Sequence, residues 1–147
     1  MTEDQNALAI ALFTEVMATD QLVRVRLTRA LPKGMEISHF SVLNHLAWIA
    51  EERTPAQLAQ TLHVTRGAMT NTLSKLEWAG YVHIRPDWED ARRKFIGISP
   101  AGKQARDHAV GSVMPMIELM VKKMGAERVR DALPILREMR IQLDKDG

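Results

Sequence analysis

The sequence predicts a mainly α-helical chain with one small β-hairpin, an α+β arrangement. Three observations predict it. Apolar residues recur at helical spacing over most of the 147 residues. The period falls to two only over 81–85 and 94–98. A capping hydroxyl precedes proline at Thr54-Pro55 and again at Ser99-Pro100, which marks two helix starts.

Residues 5–31 read as one long helix, with Leu8, Leu12, Val16, Val23 and Leu27 in a stripe widened by Ile10, Phe13 and Met17. That face is wider than one neighbour requires. Pro32 and Gly34 stop the helix. A second helix is expected over 37–50, with Phe40, Leu43, Ala47 and Ile49 or Ala50 inward. Thr54, Pro55 and Gln57 then form a capping box that opens a short helix over 55–62, burying Leu58 and Leu62. A tight turn at 63–65 leads to a helix over 66–78, capped by Thr65, with Met69, Leu73 and Leu76 inward and Gly80 as its stop. Tyr81-Val82-His83-Ile84-Arg85 and Lys94-Phe95-Ile96-Gly97-Ile98 alternate as two strands around a charged tip at 86–93. From Ser99 a helix runs to about 124, with a kink expected near 111–115 because Pro115 lies inside it. A last helix is expected over 126–145, split or bent by Pro134.

Composition narrows the function classes. There are no cysteines, which removes disulfides, thiol redox sensing and every cysteine-based metal site. The acidic start MTEDQNALAIALF lacks the pattern of a signal peptide, and no apolar run is long enough for a membrane span. The expectation is a cytoplasmic protein with no membrane partner. The net charge of +2 hides an uneven distribution: residues 53–107 hold nine Lys/Arg against five acids, whereas the rest of the chain holds eleven against thirteen. A basic centre suits a polyanion, although a solvated face of mixed charge produces the same count. No glycine-rich phosphate loop, nucleophile elbow or HExxH is present. His39 and His45 are six apart and do not share a helix face as a metal pair would. No enzyme activity, cofactor or metal is expected.

Two short helices joined by a tight turn and followed by a hairpin make a winged helix-turn-helix, with the reading head over 53–98. The second helix presents Arg66, Gly67, Thr70, Asn71, Ser74 and Lys75 opposite its apolar side, and no acid occurs from 54 to 76. Arg and Asn suit bidentate contacts with guanine and adenine edges in the major groove. Gly67 and Ala68 keep the helix N-terminus open to a phosphate. At the hairpin tip, Arg92 suits the negative potential of a narrow minor groove, with Asp90 to orient it and Arg93 and Lys94 beside it.

The run LAQTLHVTRGAMTNTLSKLEWAGYVHIRPDWEDARRKFIGISPAG, residues 58–102, resembles the winged helix core of the MarR family of bacterial transcriptional regulators. The family's wing signature is matched by Asp90-Ala91-Arg92 and Ile98-Ser99. The resemblance implies that Thr65, Arg66, Gly67, Thr70, Asn71, Ser74 and Lys75 form the major-groove contact and that Arg92 and Arg93 serve the wing. His63 stands where the family usually has a glycine turn, Ala91 where a further arginine is common, and Trp88 at the tip is unusual. Trp88 is expected to pack on the hairpin base, with contact to a sugar as the alternative.

The resemblance also implies a homodimer, with 1–34 and 100–147 as helical dimerisation segments around a DNA-binding domain at 35–99. The wide apolar face of 5–31 and Met114, Met116, Met120, Met124 and Met139 ask for a partner surface independently. The function so implied is a regulator, acting as a repressor, that binds a pseudo-palindromic operator in double-stranded DNA. A small aromatic or anionic effector is implied between the two regions, for which His39, Trp48 and Arg24 or Arg26 are candidates. The competing reading is a winged helix used for protein–protein contact.

Overall fold

The computed structural model describes residues 1–146. Its elements are α1 (Glu3–Ala30), α2 (Ile37–Ile49), α3 (Pro55–Thr61), α4 (Arg66–Trp78), β1 (Val82–Pro86), β2 (Lys94–Ile98), α5 (Pro100–Met124) and α6 (Ala126–Asp146). The chain divides into two compact units, Met1–Ser112 and the segment from Val113 onward. None of the helices, over the described residues, is long and apolar enough to cross a membrane.

The first unit owes its core to α2, α3, α4 and the hairpin. Val42, Leu43 and Leu46 of α2 meet Leu58 and Ala59 of α3, Met69, Leu73 and Leu76 of α4, Val82 of β1 and Ile96 of β2. Leu43, Leu58 and Ile96 are fully buried. The buried side of α2 is therefore His39, Val42, Leu43 and Leu46, rotated from the expected Phe40, Leu43, Ala47 and Ile49 or Ala50, although Ile49 is partly buried against the same core. Ala50 is exposed and adopts a left-handed conformation (φ 55°) as the C-cap, so the helix ends there. Leu46 at 1% exposure, absent from the expected face, shows which apolar rows met the core.

Caps set the boundaries. Thr54 accepts the Gln57 N–H at 3.2 Å while the Gln57 side chain accepts the Thr54 N–H at 2.9 Å. Thr65 accepts the Ala68 N–H at 3.1 Å. The turn between α3 and α4 holds His63 at φ 55°, the left-handed geometry in which glycine is more usual. Ser99 Oγ donates to the Gly80 carbonyl at 2.6 Å and accepts the Gly102 N–H at 3.0 Å, tying the start of α5 to the end of the helix-turn-helix.

The strands pair antiparallel, Val82 with Ile98, Ile84 with Ile96 and Pro86 with Lys94. Arg53 adds a third strip of backbone: its N–H donates to the Ile96 carbonyl at 3.0 Å and its carbonyl accepts the Ile96 N–H at 2.7 Å. The hairpin is thus anchored to the start of the helix-turn-helix rather than standing free.

No residue of α1 is buried, and its apolar stripe faces outward, with Leu8 71%, Ile10 69% and Met17 69% exposed. In the second unit α5 continues as a single helix through Pro115, and α6 is not split at Pro134. This unit exposes Leu119, Met120, Met124, Ile135, Leu136 and Leu143.

Candidate nucleic-acid interface

α4 is divided lengthwise. Met69, Thr72, Leu73 and Leu76 are buried, while Arg66, Gly67, Thr70, Asn71, Ser74 and Lys75 are exposed. Thr65 is also exposed, although its hydroxyl serves as the N-cap. A Cβ on Gly67 would meet nothing within 4 Å. The fold itself therefore gives no reason for glycine there, and the first turn of α4 is open to an approaching group. That turn carries no acid, and its unpaired N–H groups favour an anion.

The wing loop is held by its own hydrogen bonds. The Asp87 N–H donates to the Arg93 carbonyl at 3.0 Å, and the Arg93 N–H donates to the Asp90 carbonyl at 3.0 Å. The Glu89 N–H donates to Asp87 Oδ1 at 2.9 Å. Asp90 Oδ1 accepts both the Arg92 backbone N–H at 3.0 Å and the Arg92 Nε–H at 3.2 Å. These hydrogen bonds from Arg92 hold the Asp90 carboxyl below the usual carboxylate range. The Arg92 side chain is otherwise 89% exposed, so its guanidinium is posed but uncovered.

Trp88 does not pack on the hairpin base as expected: it is 82% exposed. The apolar ring at that base, Phe95, is already covered by the guanidinium of Arg85 at 4.7 Å and that of Arg93 at 5.7 Å.

Arg66, Thr70 and Ser74 of α4 converge with Arg92, Arg93 and Lys94 of the wing on one groove of about 530 Å³. Asn71 and Gly67 lie on the exposed face of α4 outside that lining, and Lys75 borders a different cavity. Two supporting residues escaped the sequence reading. Arg53 pairs with the backbone of Ile96, and Glu52 accepts from Arg85 Nε at 2.7 Å, fixing the strand that carries the wing. A long-range pairing of this kind leaves no local signal in the sequence.

The second cavity, about 330 Å³, lies within the same unit and is bordered by Lys33, His39, Lys75, Tyr81 and His108. His39 is 8% exposed. Its Nδ1 accepts the Glu36 N–H at 3.1 Å, so the neutral ring carries its proton on Nε2. That Nε2 finds no hydrogen-bond partner among the described residues. Burial lowers the His39 pKa, Lys75 adds to the effect and Glu36 opposes it. The structure does not bring the other effector candidates, Trp48 and Arg24 or Arg26, to the lining of this cavity. Trp48 is 83% exposed, and Arg24 pairs on the surface with Asp20 at 3.1 Å.

Residues 33–93 match the model of the MarR family. No curated protein sequence matches the chain. Among solved structures, the transcriptional regulator BldR from Sulfolobus solfataricus is similar at 24% identity and a TM-score of 0.81, covering 97% of this chain and 99% of its own. A MarR mutant from E. coli complexed with operator DNA is similar at 23% identity and a TM-score of 0.79, covering 89% of this chain and 94% of its own. CouR from Rhodococcus jostii RHA1, bound to p-coumaroyl-CoA, is similar at 20% identity and a TM-score of 0.75, covering 87% and 90%. These likenesses establish a common fold, and the match over 33–93 extends from the loop before α2 to the wing. Over that segment the chain is similar to the MarR family.

Proposed function

We propose that the protein binds a pseudo-palindromic operator as a homodimer and represses transcription, with α4 in the major groove and Arg92 in the adjacent minor groove. The observation that carries this reading is the convergence of Arg66, Thr70 and Ser74 with Arg92, Arg93 and Lys94 on one groove. Hydroxyls and cations at that spacing suit a phosphate backbone, and Arg66 with Asn71 supplies groups that read base edges. The E. coli relative solved with operator DNA lends support to the same docking.

A homodimer is supported by the apolar surface that each unit leaves to solvent, on α1 in one and on α5 and α6 in the other. Two-fold pairing of such heads matches a two-fold operator, with half-sites about one helical turn apart. The segments 1–34 and 100–147 would supply the pairing and 35–99 the reading head. A mixed apolar and cationic cavity beside His39 suits a small anionic or aromatic effector, and CouR was solved with p-coumaroyl-CoA.

A salt titration tests the central claim. A dimer that neutralises about eight phosphates gives a log–log slope of affinity against salt near −7. A slope near zero, as for a winged helix that contacts protein, overturns the reading. Sedimentation at micromolar concentration tests the dimer.

A further inference from the structure

The geometry points to Trp88 as a second, apolar contact of the wing, its indole lying against the deoxyribose wall of the minor groove beside Arg92. This rests on the reading of the wing as a DNA-contacting element. Trp88 exposes 82% of its surface at the tip of a loop that is closed without it. The bond between Asp87 and Arg93 closes the base, and the Glu89 N–H reaches back over Trp88 to the Asp87 carboxylate. A ring held out by a turn of this kind contributes nothing to the loop's own support. The Phe95 ring that could have received it is covered by two guanidiniums.

The surroundings of Trp88 select the partner. Arg92, Arg93 and Lys94 follow it closely in sequence and are exposed, and all three border the groove shared with α4. A surface that pairs flat apolar area with several cations fits a partner that alternates apolar and anionic groups. The sugar–phosphate wall of a duplex does so, offering sugar C–H faces between phosphates. The indole N–H adds one donor for a phosphate oxygen. A contact with sugar adds affinity without base preference.

The test uses the full-length protein and a double-stranded genomic fragment retained by it at physiological salt. Trp88→Ala should weaken binding about tenfold, the scale of an aromatic ring laid on nucleic acid. Trp88→Phe should recover most of that loss, and base preference should be unchanged in both. In a variant carrying Trp48→Phe and Trp78→Phe, Trp88 is the one remaining tryptophan, and saturating DNA should quench its emission. Undiminished affinity in Trp88→Ala overturns the proposal and leaves the indole for a protein surface. If Arg92→Ala weakens binding and Trp88→Ala does not, the wing reading stands while this inference fails. If Trp88→Ala weakens binding and Arg92→Ala does not, the assignment of Arg92 fails instead. A protein that retains no DNA overturns both.

Discussion

Asp90 holds Arg92 at three points: Oδ1 accepts its backbone N–H at 3.0 Å and its Nε–H at 3.2 Å, and Oδ2 accepts from its Nη2 at 3.4 Å. An arginine posed before DNA arrives loses less rotamer freedom on binding. Arg92→Ala should therefore weaken operator binding by about 1–3 kcal/mol with the fold intact. In the proposed complex Asp90 also brings a negative charge near the phosphates, and its two roles oppose each other. Asp90→Asn keeps an acceptor and removes the charge, so it should bind at least as tightly as the parent. Asp90→Ala removes both and should bind more weakly than Asp90→Asn. In an Arg92→Ala background the two should become equal. Fluorescence anisotropy over this set of variants checks the expectation, and a gap that survives without Arg92 would assign Asp90 some other role.

Lys75 is exposed on α4 and also borders the cavity beside His39. A compact ammonium on a flexible stem contacts phosphate as a point charge rather than reading a base. Lys75→Ala should weaken binding to specific and mixed-sequence duplexes alike. It should also lower the steepness of the salt dependence by about one unit per site. A selective loss on one sequence would mean that Lys75 reads a base.

The local signals were the readable ones. The hydroxyl–proline pair at Thr54-Pro55, the Thr65 cap and the two-residue alternation around 81–98 each act within a few residues, and the structure uses all of them. The face of α2 was harder to read because that helix is apolar nearly all round, so periodicity could not say which row meets α4; Leu46 and Val42 do. Trp88 does not pack as expected because Phe95 is covered by Arg93, two residues before it, and by Arg85, its partner across the hairpin. The pairing of Arg53 with Ile96 joins residues more than forty positions apart and had no local mark. In the candidate interface, the helix face followed from spacing, whereas its convergence with the wing on one groove needed the hairpin's anchorage.

His39 makes stability depend on pH. Burial lowers its folded-state pKa below 6.5, so the native state favours the neutral ring. The stability this contributes is fully present above the unfolded-state value and is lost as pH falls through the lowered folded-state value. Denaturant midpoints should drop on acidification below about pH 6.5, and the drop should be smaller in His39→Gln. Imidazole resonances followed by NMR should give His39 a midpoint below 6.5. A midpoint above that value would mean that the ring gains an anionic partner in solution.

Gly102 sits where the start of α5 passes under the backbone of Tyr81. A Cβ at Gly102 would lie 2.0 Å from the Tyr81 carbonyl oxygen, and a backbone oxygen cannot swing away as a flexible side chain can. Gly102→Ala should destabilise the fold by about 1–3 kcal/mol, the usual scale for forced overpacking. Ser99→Ala loses the donation to Gly80 and the acceptance from Gly102, and should cost about 1 kcal/mol, as removal of a cap does. Neither residue is on the exposed face of α4 or in the wing loop. Thermal melts should therefore record both losses, while the fraction that remains folded should bind DNA with parental affinity. Loss of affinity without loss of stability in Gly102→Ala would mean that the link from α5 to the hairpin sets the pose of the wing as well as its anchorage.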